Sequence, residues 1–319
     1  MPNADAPILI TGANGFIGQH VCRYFAAQGH TVRAAVRTAD RAVAATESVM
    51  VGDIGPQTQW EPALAGTRAV VHLAGRAHVI NETTDDDPLS LFREVNVEGT
   101  RTLAQAAAAV GVERFVFVSS IGVNGDSGTF TEASPPAPHA DYAVSKWEAE
   151  QALTEIADAT GLAVTVVRPP LVYGPGAPGN FARLLRWVAR GVPLPLANTN
   201  NRRSFVGVVN LADFLLRCVD HPAAMGELFL ISDAEAISTT DLIRQMAAAL
   251  DRSARLFPFP EPLLRAAGRI ANRERLIDQL FGTLVVDAQK ARDQLGWSPP
   301  QSLSAGLADV AQWYREYHA

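Results

Sequence analysis

Short apolar runs alternate with longer helical patterns through the first half of the chain. The runs are rich in β-branched residues and nearly continuous, as expected for strands covered on both faces. They lie at 8–10, 32–36, 49–51, 69–73, 115–118 and 163–167. The amphipathic or alanine-rich segments between them lie at 16–28, 57–65, 90–110 and 141–160. This alternation predicts an α/β fold with a doubly wound parallel sheet.

The pattern changes after Arg168. Segment 168–180 contains four prolines and three glycines, which interrupt the alternation of strands and helices. Beyond it the pattern predicts helices near 180–190 and 210–220 and strands at 204–208 and 227–231. We therefore expect a first domain over 1–171 and a smaller C-terminal domain over 172–319, with 204–231 returning to the first domain.

Composition and charge narrow the class of protein. Hydrophobic residues make up 48% of the chain and charged residues 19%, which is ordinary for a globular protein. The net charge of −6, without a block of like charges, argues against a nucleic-acid partner. No apolar run reaches membrane-spanning length, so no membrane partner is expected. We also predict no metal site.

The cysteines and the N-terminus bear on location. Cys22 and Cys218 lie far apart inside apolar helical patterns, where reduced, buried thiols are expected. The first seven residues lack the cationic and apolar regions of a signal peptide. Both features predict a cytoplasmic protein.

A glycine-rich turn follows the first strand. Gly12, Gly15 and Gly18 are spaced G-x-x-G-x-x-G, which departs from the commoner G-x-G-x-x-G, and an apolar helix follows. Glycine lets the backbone approach a pyrophosphate, and the helix N-terminus offers free N–H groups and a partial positive charge. Because the turn follows the first strand of an alternating pattern, it predicts a Rossmann-type dinucleotide site.

The end of the second strand bears on the choice of cofactor. In the usual fingerprint a carboxylate there accepts from the ribose 2′-hydroxyl of NAD. Here the strand ends at Val36-Arg37, without a carboxylate. Arg37 could pair with a 2′-phosphate, or it could be a solvated residue at the strand end. We expect a preference for NADP, with NAD still possible.

Tyr142 and Lys146 lie four residues apart in a predicted helix and therefore share a face. A neighbouring ammonium, helped by a cationic nicotinamide, favours the phenolate and should lower the tyrosine pKa, so that Tyr142 can exchange a proton near neutral pH. A pair of this kind is common on helix surfaces, but here the preceding strand runs into Ser119-Ser120. Ligands bind at the carboxyl ends of such strands, so Ser120 could hold the oxygen that Tyr142 protonates.

Taken in order, the motifs resemble those of the extended short-chain dehydrogenase/reductase family, which includes nucleotide-sugar epimerases, dehydratases and reductases. The resemblance covers nearly the whole chain, and the ordered set is specific where single members are not. The matching segments are TGANGFIG at 11–18, Asp53, HLAG at 72–75, NVEGT at 96–100, SS at 119–120, YAVSK at 142–146 and RPPLVYGPG at 168–176.

The resemblance implies a role for each matching position. Ser120, Tyr142 and Lys146 would be catalytic, and Lys146 would also bind the nicotinamide ribose. Asp53 would contact the adenine, with a structural role as a helix cap or turn residue as the alternative. For Asn96 a helix-supporting structural role is as compatible as a catalytic one. Together with Arg37, the expected cofactor-binding residues are Gly12, Asn14, Gly15, Phe16, Ile17, Gly18, Asp53, Ile54, Leu73, Ala74, Gly75, Asn96, Tyr142, Lys146 and Pro169.

At the substrate end, the resemblance implies that Asn180 and Arg203 contact the diphosphate of a nucleotide sugar. Asp287 would lie near the uridine ribose, and Ser120 would contact the sugar. An amide and an arginine suit a diphosphate, and a carboxylate suits paired ribose hydroxyls. The alternative for Asn180, Arg203 and Asp287 is a solvated loop side chain.

The reaction is narrowed by the residues after Ser120. Dehydratases of this family place an Asp-Glu pair there, and this chain has Ile121-Gly122, which disfavours dehydration. Our first expectation is reduction of the 4-keto group of a UDP-2-acetamido-2,6-dideoxyhexos-4-ulose in surface polysaccharide synthesis. The alternative is a UDP-sugar 4-epimerase with tightly bound NAD. A non-catalytic NADP-binding sensor or scaffold is a third possibility, although such proteins usually lose the tyrosine or the lysine.

The family also implies an oligomeric state. Its members often form a four-helix dimer interface from the helices that correspond to 90–110 and 141–160. A homodimer is therefore expected.

Overall fold

A computed structural model describes residues 5–38, 43–77, 87–233, 235–270 and 274–318. A seven-stranded, wholly parallel sheet forms its centre. Its strands are β1 (Ile8–Thr11), β2 (Val32–Val36), β3 (Glu47–Met50), β4 (Ala69–His72), β5 (Arg114–Val118), β7 (Val164–Arg168) and β10 (Leu228–Leu230). They lie side by side in the order β10-β7-β5-β4-β1-β2-β3, and the predicted α/β fold class is confirmed.

Two further sheets have two parallel strands each. One pairs β6 (Gly128–Phe130) with β11 (Leu284–Val286), and the other pairs β8 (Leu171–Tyr173) with β9 (Phe205–Gly207). The sequence pattern predicted β9 but not the other three. Strand β6 begins with glycine and is largely exposed, and β8 lies within the segment rich in proline and glycine, so neither shows the apolar run that marks a strand.

Helices cover both faces of the central sheet and build the rest of the molecule. They are α1 (Phe16–Ala27), α2 (Glu61–Leu64), α3 (Pro88–Arg93), α4 (Gly99–Ala109), α5 (Asp141–Thr160), α6 (Gly179–Ala189), α7 (Val208–Asp220), α8 (Thr239–Ala249), α9 (Glu261–Ile270), α10 (Glu274–Phe281), α11 (Gln289–Leu295) and α12 (Leu303–His318). Within the described residues, no helix combines the length and apolar character that a bilayer span requires.

Strand β1 shows why the apolar runs are continuous. Ile8 and Ile10 point into the core formed with α1 and α7, and Leu9 points into the core formed with α2, α4 and α5. All three are fully buried. A strand covered on both faces needs apolar residues at every position, so this burial accounts for the pattern in the sequence.

The order of the strands locates a crevice. On one side of β1 lies β2 and on the other β4, with Thr11 opposite both Ala35 and His72. The chain changes direction across the sheet at this point, and the carboxyl ends of β1 and β4 leave a gap where ligands bind in open α/β sheets. The glycine turn follows β1 directly at this edge.

A second core lies outside the central sheet. It is built mainly from α6, α8 and α12, and Tyr173, Phe181, Met246 and Leu307 are among its buried members. Segment 205–230 instead contributes α7 to the first core and β10 to the edge of the large sheet. This arrangement supports the proposed division at about residue 171, with 204–231 returning to the first domain.

The predicted helix over 90–110 is divided in the structure. Helix α3 leads into a π-helical turn at Glu94–Glu98, and α4 continues from Gly99. Such turns have one extra residue and often occur at functional sites. Here the turn contains Asn96 and faces the loop after β4.

Candidate active site

The glycine turn is packed tightly against the neighbouring strand end. Gly12 has a φ of +65°, and a Cβ at this position would lie 2.8 Å from the nitrogen of Ala74. Within the turn, Gly15 donates its N–H to the carbonyl of Gly12 at 2.9 Å. A side chain at Gly12 would therefore collide with the backbone of Leu73 and Ala74, and only glycine fits both the conformation and the space.

The N-terminus of α1 is left open by the sequence. Gly15 occupies the capping position without a side-chain hydrogen bond, and the first turn has no acidic residue. Gly18 allows this turn to approach the loop, since a Cβ there would lie 2.7 Å from the Cα of Ala13. The free N–H groups and the helix dipole thus face the crevice, an arrangement that fits a pyrophosphate.

A cavity of about 650 Å³ lies in front of this turn. The structure places many of the expected cofactor-binding residues along it: Gly12, Asn14, Gly15, Arg37, Asp53, Ile54, Leu73, Ala74 and Gly75. Sequence reasoning missed further lining residues: Ala35, Val36, Val51, Gly52, Arg76, Glu94 and Val95. Some of these could have been inferred, since they end β2 or follow β3 and β4, but Glu94 and Val95 carry no signal of their own.

Three of the expected cofactor-binding residues, Phe16, Ile17 and Pro169, do not line the cavity. The Phe16 ring packs edge-on against His20 and lies close to Gly174. Ile17 packs against the first core. Pro169 is buried at the end of β7, where its carbonyl accepts from the N–H of Ile121 at 3.0 Å.

Arg37 and Asp53 form an ion pair at the cavity. Arg37 Nε lies 2.8 Å from Asp53 Oδ1, and the two side chains are 71% and 84% exposed. The sequence assigned these residues to two different parts of the cofactor, and the structure joins them. In this exposed setting the pair contributes little to stability, so either partner can turn toward a ligand.

Lys146 lies between the end of β5 and the cavity. Its side chain is buried, and Nζ donates to the carbonyl of Val118 at 3.0 Å and lies 4.5 Å from the centre of the Phe117 ring. A Cβ on the cavity residue Gly75 would lie 3.3 Å from this nitrogen. Burial lowers the Lys146 pKa to about 8, and the charge of Glu150 opposes that shift.

Tyr142 lies one turn before Lys146 on α5, and its ring packs edge-on against Phe92. A lowering of the tyrosine pKa by Lys146 alone is wrong, and a lowering assisted by a nicotinamide charge stays a prediction. Burial raises the Tyr142 pKa to about 12, because the ionised phenol loses hydration. At neutral pH the phenol therefore keeps its proton and is poised to act as an acid.

Ser120 lies next to the first turn of α5. Its Oγ accepts from the N–H of Gly122 at 3.1 Å. A Cβ on Gly122 would lie 3.4 Å from both Ser120 Oγ and the Cβ of Ala143, so the hydroxyl and the start of α5 are separated by little more than this glycine. Glycine at 122 also means that no acid stands where the dehydratases have one.

Asn96 is held on all sides by protein groups. Its Oδ1 accepts from the N–H of Arg76 at 2.7 Å. Its Nδ2 donates to the Arg76 carbonyl at 3.0 Å and to Ser145 Oγ at 2.9 Å. This buried amide ties the loop after β4 to the helix of Tyr142 and Lys146. The geometry favours the structural role that the sequence had left open.

A second polar chain, which sequence reasoning missed, runs beneath the crevice. His72 Nδ1 lies 2.7 Å from Thr11 Oγ1, and His72 Nε2 lies 2.9 Å from Thr100 Oγ1. Thr100 in turn donates to the carbonyl of Asn96 at 2.7 Å, and Thr11 accepts from the N–H of Ala74 at 3.1 Å. Burial, together with the Lys146 charge, lowers the His72 pKa to about 3, so the imidazole in this chain of hydrogen bonds stays neutral.

The two residues expected to bind the diphosphate each contact the C-terminal end of α10 or the residue that follows it. Asn180, in the first turn of α6, hydrogen bonds to Gln279 and to Arg183. Arg203 donates to the carbonyl of Gly282 at 3.1 Å. Burial lowers the Arg203 pKa, and the negative charge of Asp126 opposes this shift. The two side chains are distant in sequence and are brought to one region by α10.

Asp287 is exposed just after β11. Its carboxylate accepts from the N–H of Gln289 at 2.9 Å and so stabilises the start of α11. Its own N–H donates to the carbonyl of Phe130 at 2.9 Å. The exposure of Asp287 is compatible with the solvated loop side chain that was the alternative for this residue, and contact with a ribose stays a prediction.

The cysteines and possible metal ligands add no further chemistry. Cys22 and Cys218 are free and buried, and burial raises both thiol pKa values, that of Cys22 to about 12. Across the described part of the chain, no group of three or more His, Cys, Asp or Glu side chains could hold a metal ion.

The turn can be tested with one added methyl group. We expect Gly18→Ala to weaken dinucleotide binding by about tenfold. The added methyl group would collide with the backbone of the turn, which costs about 1–3 kcal/mol and would push α1 away from the turn. Gly55→Ala is a matched control, since a Cβ there meets nothing within 4 Å. Fluorescence titration with NADH and NADPH measures both variants. Equal affinities in Gly18→Ala and wild type would contradict the assignment.

Comparisons with known proteins agree with the fold and the motifs. Residues 8–232 match the model of the NAD dependent epimerase/dehydratase family. A protein of Vibrio cholerae named UDP-glucose 4-epimerase is 41% identical over 314 residues, covering 96% of this chain and 94% of that protein. The expected resemblance is confirmed at the level of the family.

Solved structures show the same fold. UDP-N-acetylglucosamine 4-epimerase from Bacillus cereus superposes with a TM-score of 0.80 at 20% identity, covering 98% of this chain and all of that one (100%). MoeE5, solved with UDP-glucuronic acid and NAD, superposes with a TM-score of 0.76 at 25% identity, covering 97% and 99%. On its sequence and its fold, the chain belongs to the NAD dependent epimerase/dehydratase family.

Proposed function

We propose that this protein moves a hydride between a nicotinamide dinucleotide and carbon 4 of a UDP-linked sugar. The observation that carries the proposal is the position of Ser120 just after β5 and of Tyr142 and Lys146 on α5. Lys146 Nζ lies close to Gly75, which lines a cavity with a glycine turn and an open helix N-terminus. The relative from Vibrio cholerae and the structure of MoeE5 support a UDP-linked substrate.

The proposed roles follow from the geometry. The bound dinucleotide supplies or accepts the hydride. In the reductive direction Tyr142 gives its phenol proton to the sugar oxygen at carbon 4, while the Ser120 hydroxyl donates a hydrogen bond to the same oxygen. The Lys146 ammonium then stabilises the phenolate that remains on Tyr142. The turn from Gly12 to Gly18 holds the pyrophosphate.

The finer proposal is a 4-keto reductase that uses NADPH. It would reduce a UDP-2-acetamido-2,6-dideoxyhexos-4-ulose in the synthesis of a surface polysaccharide. Arg37 supports this choice, because it directly follows β2 and lines the cavity where NAD-binding proteins have a carboxylate. The raised pKa of Tyr142 supports the same direction, since a protonated phenol suits reduction.

A 4-epimerase with tightly held NAD is the second candidate. The relative that is 41% identical is named UDP-glucose 4-epimerase, and MoeE5 was solved with NAD. In that reaction Tyr142 must first accept the proton of the sugar hydroxyl and then return it. The cofactor that purifies with the protein separates the candidates: mass spectrometry should find NAD held in an epimerase, and exchangeable NADP in a reductase.

The cofactor preference can be tested at Arg37. We expect Arg37→Ala to weaken NADPH binding by about tenfold while sparing NADH, because a charge-assisted but exposed contact is lost. Asp53→Asn should strengthen NADPH binding, since it frees Arg37 from its ion pair and removes a negative charge near the 2′-phosphate. Fluorescence titration of both variants with both cofactors measures this. Equal wild-type affinities, unchanged in Arg37→Ala, would remove the support for a reductase.

The remaining expectations stay proposals. Asn180 and Arg203 would bind the diphosphate of the substrate, and Asp287 would lie near its ribose. The outer faces of α4 and α5 would pair two copies into a homodimer. A cytoplasmic location agrees with the buried, unpaired cysteines. A non-catalytic sensor would bind NADPH without oxidising it in the presence of any 4-keto sugar nucleotide.

A further inference from the structure

A buried carboxylate stands one helical turn beyond Lys146. Glu150 is 5% exposed, and its partner Arg168, the last residue of β7, is 2% exposed. Ion pairs buried this deeply lose the hydration of both groups, and replacing them with apolar residues is often neutral for stability. Stability alone therefore gives no reason for a charged pair beside the catalytic lysine.

The hydrogen bonds of Glu150 reach two strand ends. Its carboxylate accepts from Ser119 Oγ at the end of β5 and from Arg168 Nε, the latter at 2.9 Å. A second Arg168 nitrogen also pairs with it, and Arg168 Nη1 donates to Asn124 Oδ1 at 3.0 Å. Ser119 directly precedes Ser120. The carboxylate thus fixes α5 against the two strands whose ends form this side of the site.

Glu150 also shares a face of α5 with Lys146, four residues away, and its negative charge acts on the lysine. On α5, Tyr142 lies one turn before the lysine and Glu150 one turn after it. From β4 the neutral His72 faces it, and from β7 the Arg168 guanidinium pairs with Glu150. The Lys146 amine has lost its hydration, so without a nearby carboxylate its neutral form would be favoured at lower pH.

We propose that Glu150 is a positioning residue for the reaction: its charge keeps Lys146 an ammonium ion at neutral pH, and its contacts with Ser119 and Arg168 hold the strand ends on which Ser120 and Pro169 stand. The significance of this role for turnover rests on the proposed function. The charge effect on Lys146 does not, and it can be measured without substrate.

The sequence offers a direct measurement, because Lys146 and Lys290 are the only lysines in the chain. Protein labelled at lysine Cε gives two NMR signals, and Lys290, paired with Glu227 at 2.7 Å, is an internal reference. In Glu150→Gln we expect the Lys146 titration midpoint to fall by about one pH unit or more, while Lys290 is unchanged. Glutamine keeps an acceptor for Ser119, so charge is the main change.

Glu148→Gln is the matched control. Glu148 lies on the same helix but pairs with Arg93, away from Lys146, so its loss should leave the midpoint in place. If Glu150→Gln does not fold because Arg168 is left unpaired, Glu150→Gln with Arg168→Met removes both charges, and the midpoint should again fall. An unchanged Lys146 midpoint in either folded variant would overturn the proposal.

The rate profile then connects the charge to the reaction. In Glu150→Gln the alkaline limb of kcat should move to lower pH by the same amount as the NMR midpoint, and in Glu148→Gln it should stay. A midpoint that shifts without any turnover of UDP-linked sugars in wild type would defeat the proposed function and leave the charge effect intact. Turnover with an unmoved alkaline limb would overturn the role of Glu150 in the reaction.

Discussion

Replacing Tyr142 with phenylalanine should lower turnover by roughly 100-fold or more, the usual scale for removal of a general acid or base. The change deletes one hydroxyl and keeps the ring that packs against Phe92. Fold and dinucleotide affinity should therefore be preserved, and the loss should fall on kcat. Steady-state kinetics with a UDP-linked 4-keto sugar and NADPH, beside cofactor titration, measure the two effects separately.

Tyr24→Phe is the control for this change. The Tyr24 hydroxyl donates to Asp213 at 2.6 Å on the far side of α1, and its loss should affect stability but not turnover. Near-normal kcat in folded Tyr142→Phe would show that another group handles the proton.

Removing the charge of Lys146 should impair both cofactor binding and turnover. Lys146→Met keeps the apolar stem but loses the ammonium that faces the cavity at Gly75 and supports the phenolate. We expect kcat/KM to fall by about 100-fold or more, because one substitution removes both a binding contact and the stabilisation of the base. Lys290→Met, at a surface ion pair, should leave both parameters unchanged.

The same residue sets the alkaline limit of the reaction. With a pKa of about 8, Lys146 loses its charge as pH rises through that value, so activity should be complete below it and decline above it. Arginine stays charged throughout this range. In Lys146→Arg the remaining activity should therefore lack this decline. The same alkaline limb in wild type and Lys146→Arg would assign it to a different group.

The sheet and the cofactor turn could be predicted because each depends on local sequence. Strands buried on both faces need continuous apolar residues, as Ile8 to Ile10 illustrate, and the approach of the turn to Ala74 needs glycine at position 12. The spacing of Tyr142 and Lys146 was informative for the same reason, since a helix fixes the relation of residues four apart.

Properties that depend on contacts between distant segments could not be predicted. The Tyr142 pKa depends on how deeply α5 is buried, and the pairing of Arg37 with Asp53 joins the ends of two strands. The role of Glu150 requires Ser119 and Arg168 to meet at one carboxylate. None of these contacts leaves a pattern in the sequence.

The substrate end was the least predictable part. Asn180 and Arg203 are brought to one region by α10 and the residue after it. Gln279 of α10 contacts Asn180, and the carbonyl of Gly282 accepts from Arg203. Side chains that bind a ligand must converge in space, and a single sequence shows which residues are present without showing which of them converge.

Transfer of a labelled hydride is the most direct test of the central claim. Wild-type protein would be incubated with a UDP-linked 4-keto sugar and NADPH deuterated at the transferable position, with NADH in parallel, and the product examined by NMR. We expect deuterium bonded to carbon 4 of the sugar, and its loss in Tyr142→Phe. The epimerase alternative instead predicts that UDP-sugar deuterated at carbon 4 keeps the label there in the epimer. Absence of deuterium from carbon 4 in both experiments would contradict hydride transfer at this site.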